Sequence, residues 1–554
     1  MATSHIFGGK KIEIPDVYSQ ILSGFKNPPS DVDYGHVLII DTGSGAGGGG
    51  GAGITGTLSS GTDAVYGFDN IDDFRNFTEK GFWYFLAKPL FEPLTENQIK
   101  QPGVSKITFI KAATTVPASM TFHPQGDLSD SMGFAGTIII KIRNEGLVGN
   151  GALNTNSELS RGYGFKIKVG VVDATKIIME FYRGTFRGLD QNGNPIGGIA
   201  EADTTAQLLC QSDEFDTLPE LITWMNSSTD FGQYFYYDAA NSSVLNTGTL
   251  ETDDVIVTYT GYTLASGGTE SYSAGNLTAA LLAVKKLSCD FIFADGYGAN
   301  SYSANNLAIV DAAQNDMKFK PQVYISSGST KAEFTSKSIV DAKAYDSQQV
   351  TIVHGGSRIS NRNSSIGYYQ FDSYYTTALL LGREAGLQPQ VPMTFKNISV
   401  NGLQHVLNET EMKQALNYGV LAVIPDNGVF EVLKGVNTLQ QNQFLLNDDG
   451  TTSSKQLFRI AHQINKLILI NAKLQLLKDP SGVNRNTLSE LDVAQWTKRF
   501  LKGIQATPTS DNLIISFGDV TVTRESDAYN IQYSFSANTE ISFLFFTGLI
   551  VDVN

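Results

Sequence analysis

The sequence predicts a multidomain chain of mixed α+β and α/β type, and three observations lead there. Between residues 266 and 400, short apolar runs alternate with helical patterns, as in an α/β unit with a partly parallel sheet. Glycine is abundant, at 54 of 554 residues, and aromatics reach 10%, a mix that favours strands and turns over a helical bundle. Near the C-terminal end two amphipathic helical patterns follow one another, over 453–478 and 487–504. Length alone gives a prior of about three to four domains.

The first thirty residues read as an extended arm. Residues 10–18 (KKIEIPDVY) alternate, with Ile12 and Ile14 on one side, and Pro15 suits an edge rather than a central strand. Residues 24–33 read as a linker, and 36–41 (HVLIID) as a buried strand. The following glycines formally match G-x-G-x-x-G, but no helix follows to cradle a pyrophosphate, so a flexible surface loop is expected instead of a dinucleotide site. Residues 70–80 read as a helix, 82–91 as an apolar segment, and 104–112 and 137–143 as strands. A hairpin is expected over 165–172 and 176–182, a helix over 213–226 and strands over 234–260, giving a mostly β inserted domain at about 126–265. Asp190, Asn192, Asn194 and Glu201 have EF-hand spacing. Pro195 stands where such a loop needs glycine, so a hairpin turn is the better reading.

In the α/β stretch, strands are expected at 289–294, 321–326 and 349–354, and helices at 277–287, 305–317, 330–344 and 374–387. The helix at 453–478 carries an apolar stripe of Leu457, Ile460, Ile464, Leu467 and Leu474, and a capping-box pattern at 487–490 opens the next helix. From 455 to 505 nine Lys/Arg face three Asp/Glu, a basic island in a chain of net charge −15. Arg459, Lys466 and Lys473 recur every seven residues, and such a step drifts only about 20° around a helix, so they share a face with Lys455 and His462 beside them. That face is either solvated or docks an acidic partner. Residues 512–523, 529–537 and 540–551 read as strands. The last is apolar, with Ile541, Phe543 and Phe545 alternating, and needs a covering partner.

The composition also excludes functions. The acidic balance argues against nucleic-acid binding. No run of 18 apolar residues predicts a membrane span, and the N-terminal residues lack a signal-type apolar core. Cys210 and Cys289, far apart, suggest a reducing site of assembly without a disulfide framework. The six histidines are scattered. There is no HExxH, no GxSxG and no P-loop lysine, and His354-Gly-Gly-Ser357 has no nucleophile elbow to serve. No enzyme activity, cofactor or metal is expected.

Several stretches, in order, resemble the contractile phage tail sheath proteins. Residues 14–18 (IPDVY) are similar to the arm of that family, with Asp16 in place of its usual glycine. Residues 137–151 (TIIIKIRNEGLVGNG) resemble a strand and turn of the family, with Glu145 in place of proline. Residues 403–439 and the paired helices after them resemble its C-terminal core. The resemblance implies an N-terminal arm at 1–30, sheath domains at 31–125 and 266–400, the insertion at 126–265, a C-terminal core at 401–538 and a C-terminal arm at 539–554. It implies a structural subunit that polymerises in stacked six-fold rings around a tail tube and contracts to drive the tube through the host envelope. Ile12, Ile14, Val17 and Tyr18 at one end, and Ile541, Phe543, Phe545, Leu549 and Val551 at the other, would be the strands exchanged between subunits. Arg459, Lys466 and Lys473 would face an acidic tube. Further copies of the chain, the tube protein, baseplate and tail terminator are the implied partners, and the virion tail, assembled in the host cytoplasm, the implied location. Alternatives are the sheath of a bacterial contractile injection system, of tailocin or secretion type, and a β-rich surface-binding or adhesion protein.

Overall fold

Strand β1 (His36–Asp41) is buried along its whole length, as a strand inside a parallel sheet covered on both faces must be. The computed structural model describes residues 5–7, 10–12, 34–42, 65–78, 82–96, 99–124, 135–143, 149–153, 157–184, 206–245, 247–294, 303–360, 368–440, 454–475, 488–506, 513–525 and 528–537. β1 belongs to a nine-stranded sheet completed, in chain order, by β2 (Val65–Phe68), β3 (Lys106–Lys111), β4 (Phe291–Phe293), β5 (Gln322–Ser326), β6 (Val350–His354), β7 (Asn397–Ile398), β8 (Val420–Asp426) and β9 (Val429–Val432). The spatial order is β7-β9-β8-β6-β5-β4-β1-β3-β2. The six strands from β8 to β3 are parallel. Antiparallel β2 closes one edge, and the β8–β9 hairpin with β7 closes the other.

Alternation along the strands sends side chains to two helical layers. Val37, Ile39 and Phe293 meet helices α1 (Ile71–Thr78), α2 (Phe82–Phe91) and α6 (Ser373–Ala385). Leu38, Ile40, Ile292 and Ile352 meet α3 (Ala274–Val284), α4 (Ala304–Asp311), α5 (Ile339–Tyr345) and α7 (Glu409–Tyr418). The result is a three-layer α/β/α unit.

Between β3 and α3 the chain leaves this unit through a two-stranded neck. Ala113–Val116 pairs antiparallel with Thr269–Tyr272, outside the borders 126 and 265 drawn from the sequence. Beyond the neck the insertion builds its own core on Phe122, Ile140, Phe165, Phe181, Leu218 and Phe235. It is mostly β, but Thr252–Thr258 is a helix rather than strand. Asp253 and Asp254 sit in its first turn, where carboxylates favour the positive end of the helix dipole over the β preference of the valines that follow. The glycine motif after residue 42 and the EF-hand-like stretch lie outside the described residues.

A last unit follows β9. Helices α8 (Lys455–Gln475) and α9 (Glu490–Gly503) pack with two short antiparallel pairs, Ser516–Phe517 with Phe535–Ser536 and Thr521–Glu525 with Ala528–Gln532. The capping box of α9 uses Ser489 and Asp492 rather than the expected residues 487 and 490. Of the arm residues expected to be exchanged, Ile12 lies in a short strand, Lys10–Ile12, paired with His5–Phe7. Ile14, Val17, Tyr18, Ile541, Phe543, Phe545, Leu549 and Val551 lie outside the described residues.

Candidate functional site

Helix α8 is the joint of the molecule, because both of its long faces are buried. Every residue from 454 to 469 is shielded from solvent. Leu457, Ile460, Ile464 and Leu467 pack on Leu501, Leu513, Ile514 and Phe535, forming the core of the last unit. The opposite face carries Lys455, Arg459, His462 and Lys466, and it lies across the amino-terminal ends of four adjacent parallel strands.

The contacts follow the order of the strands. Lys455 Nζ donates to Thr351 Oγ1 in β6 (2.7 Å) and Gln322 Oε1 in β5 (3.1 Å). His462 meets the Lys320 carbonyl just before β5 and Asp290 Oδ1 just before β4. Lys466 Nζ donates to the same Asp290 oxygen at 2.9 Å, while Asp290 Oδ2 accepts from the backbone N–H of Gly35 and His36, where β1 begins. The dimensions agree: three inter-strand steps of about 4.8 Å span roughly 14 Å, and eleven residues of helix rise about 16 Å.

Two buried carboxylates hold this face. Glu384, near the end of α6, pairs with Lys455 (2.9 Å) and Arg459 (3.3 Å) and accepts from the Tyr324 hydroxyl. Arg459 also closes the end of α6. Its guanidinium donates to the carbonyls of Glu384, Leu387, Gln388 and Val391 and to the Tyr34 hydroxyl, satisfying acceptors that a helix C-terminus leaves without partners. Burial alone would raise the pKa of Asp290. The His462 hydrogen bond and the Lys466 charge outweigh it and hold the carboxyl below its ordinary value. Lys455 is pushed down to about 8 by burial, against the pull of Glu384. Three cations thus meet two carboxylates; burial disfavours the charge of Arg459 as well as of Lys455, but at Arg459 Tyr34 and Glu384 outweigh it.

No protein-family model matches the sequence. The chain is 23% identical to the tail sheath protein of Bacillus phage SP01 over 592 aligned positions, covering 95% of this chain and 93% of that one. It also shares its fold with the sheath tail protein of Desulfitobacterium hafniense. That superposition has a TM-score of 0.54 at 12% identity and covers 95% of this chain and 100% of the other. The chain is thus similar in sequence to one tail sheath protein and in fold to another.

The basic face of α8 is not where the sequence reading put it. Arg459 and Lys466 share one face, as their spacing requires, but they are only 1% and 2% exposed and point at the chain's own Glu384 and Asp290. Neither presents charge to a tube in this conformation. The side chain of Lys473 lies outside the described residues. Among the described residues the exposed cations of the basic island are on α9, where Lys498, Arg499 and Lys502 share a face. Asp290 and Glu384 were not singled out from the sequence, although Asp290 is a carboxylate set within an otherwise apolar run, CDFIFA; Glu384 follows Arg383 and carries no such signal. Among the described residues no cluster of three or more His, Cys, Asp or Glu could hold a metal, and no helix is long and apolar enough to cross a membrane. Ser357 of the His-Gly-Gly-Ser stretch is buried and bonded to Thr376.

Proposed function

We propose that the chain is the subunit of a contractile phage tail sheath, polymerising in stacked six-fold rings around a tail tube and contracting to drive that tube through the host envelope. The observation that carries this reading is the collinear match to a phage tail sheath protein over nearly the full length of both chains. A single shared domain would not produce it. The phage origin of that relative favours a virion tail over a bacterial injection machine.

The geometry supports the reading in two ways. The ribbon Thr521–Glu525 with Ala528–Gln532 is a two-stranded hairpin whose strands pair only with each other among the described residues. Val522, Tyr529 and Ile531 fix one face on Val493 and Trp496 of α9, and the strand edges can accept arms from neighbouring copies by β-augmentation. The buried face of α8 then couples that ribbon to the α/β unit, so force on an exchanged arm reaches the sheet. Heterologous contacts of this kind build helical assemblies. The docking role expected of the basic island passes to Lys498, Arg499 and Lys502, toward an acidic tube. Baseplate and terminator proteins complete the partner set, in a virion assembled in the host cytoplasm. The free, buried Cys210 and Cys289 are compatible with that compartment.

Electron microscopy of the purified chain beside a version lacking residues 1–20 tests the reading. Tubes or rings formed by the full chain, and only monomers by the truncation, are expected. A uniform monomer in both would refute arm-driven assembly.

A further inference from the structure

Ser338, His354, His405 and Glu411 come from four different elements and form one unbroken row. Ser338 ends the helical turn Phe334–Ser338 that leads into α5, and His354 is the last residue of β6. His405 lies in the loop before α7, and Glu411 in the first turn of α7. Ser338 Oγ is 2.9 Å from His354 Nδ1, His354 Nε2 is 2.9 Å from His405 Nδ1, and His405 Nε2 is 3.2 Å from Glu411 Oε2. Phe334 packs edge-on against both imidazoles. Both histidines are buried.

The protons along this row can be counted. A neutral imidazole has one donor and one acceptor. With Glu411 ionised, His405 Nε2–H donates to it, so His405 Nδ1 accepts from His354 Nε2–H. His354 Nδ1 then accepts from the Ser338 hydroxyl, which itself accepts from the Gly328 N–H. One added proton fits. It goes to His405 Nδ1, opposite the Glu411 charge; the His405–His354 bond reverses, and the remaining His354 proton moves to Nδ1, facing Ser338. A second proton does not fit, because both facing nitrogens would then carry hydrogen.

We propose that this row is a proton-counting latch, closed with no added proton or one, that releases α7 and the loop before it from the end of β6 when the pair takes up two. Burial, with the adjacent His405 adding to it, holds His354 far below its ordinary value, at about 3. Glu333 acts on His354 in the opposite sense, and Lys331 acts on Glu411. Lys337 faces Asp341, Glu333 and Asp372, and Asp341 accepts from Ser327. None of these charges relieves the conflict between the two facing nitrogens.

An opened latch leaves two ordinary histidines, which bind two protons below about pH 6.5, one more than the closed row accepts. Linkage then gives a ten-fold rise in the opening equilibrium for each pH unit below that value. Hydrogen–deuterium exchange of the full chain from pH 7 to 5, corrected for intrinsic exchange and run where protection reports the opening equilibrium, measures this directly. Protection over 401–418 should change little between pH 7 and about 6.5 and approach a ten-fold fall per unit below it, while the insertion strand Ile177–Arg183 stays within about two-fold. His354→Gln should abolish the slope, since it removes one of the two facing imidazoles whose nitrogens come into conflict. Glu411→Gln keeps the helix cap but removes the compensating charge, and should steepen the slope towards a hundred-fold per unit. A flat wild-type profile, or a His354→Gln chain that keeps its slope, would overturn the proposal. If His354→Gln does not fold, a Glu411→Gln slope equal to wild type overturns it alone.

Discussion

Replacing Asp290 with Asn should loosen the grip of α8 on the sheet by about 3–5 kcal/mol, and the geometry sets that range. The carboxylate accepts on both oxygens: Gly35 and His36 N–H at Oδ2, Lys466 and His462 at Oδ1. A carboxamide must turn its NH₂ towards one of these pairs. Turned to the backbone, it leaves two buried N–H groups without acceptors, at about 1–3 kcal/mol each. In either orientation the buried Lys466 ammonium loses its counter-charge, at about 3–5 kcal/mol, and turned the other way the NH₂ also meets it donor to donor. A chain of this size unfolds in more than one cooperative step, so the readout is exchange of α8 amides at increasing urea rather than a single melting temperature. The companion change is Lys466→Met, which removes the charge and keeps the apolar stem. The double variant should recover at least about 2 kcal/mol relative to the sum of the single changes. A loss below about 0.5 kcal/mol for Asp290→Asn, or simple additivity, would show that the pair does not hold the joint.

Two further outcomes follow from the same joint, and a third from the contact between α2 and α6. Arg459→Lys should destabilise α8 docking by about 2–4 kcal/mol in the same exchange assay, because an ammonium cannot reach the set of carbonyls at the end of α6 that the guanidinium fork satisfies. Lys455 has a folded pKa below its unfolded value, so its contribution is fully present above about pH 10.4 and lost as pH falls through about 8. Docking should therefore strengthen by up to about 3 kcal/mol between those values in wild type relative to Lys455→Met, and parallel pH profiles would refute this. Gly382→Ala should cost about 1–3 kcal/mol or more. A Cβ there would lie 2.3 Å from the Pro89 carbonyl oxygen and 2.6 Å from that of Leu90, backbone atoms that cannot yield without separating α2 from α6.

How much of this was legible follows from where the information sits. The central strands were readable because a strand buried on both faces is rich in β-branched, aromatic and other apolar residues, and 289–294, 321–326 and 349–354 are of that kind despite the polar Asp290, Gln322, Thr351 and His354 within them. The neck was not readable. Its strands are four residues each, ATTV and TESY, without a continuous apolar run, and their pairing joins positions more than 150 residues apart. The histidine row was equally hidden, because its members stand up to 51 residues from their partners and no local spacing links them.

The cations of α8 show the limit most clearly. Periodicity established that they share a face, and for Lys455, Arg459 and Lys466 that part holds. Whether the face meets water, a partner or the chain itself is decided by Asp290 and Glu384, which lie 176 and 75 residues away in sequence from Lys466 and Arg459. One local signal did exist. Residues 455–475 contain no Asp or Glu at all, whereas a solvated helix face ordinarily interleaves both signs in pairs three or four apart. Cations alone, flanked by His462, Gln456, Gln463 and Asn465 rather than by acids, are a face that must find its counter-charge elsewhere. The inference of an acidic partner for α8 was sound in its chemistry; the partner is the amino-terminal edge of the chain's own sheet. On the sheath reading proposed above, load on exchanged arm strands would pass into a helix clamped by buried charge. Breaking that clamp should uncouple arm exchange from movement of the core without abolishing exchange itself. Asp290→Asn subunits that still form rings, but whose α8 amides exchange freely within them, would be the direct sign of that uncoupling.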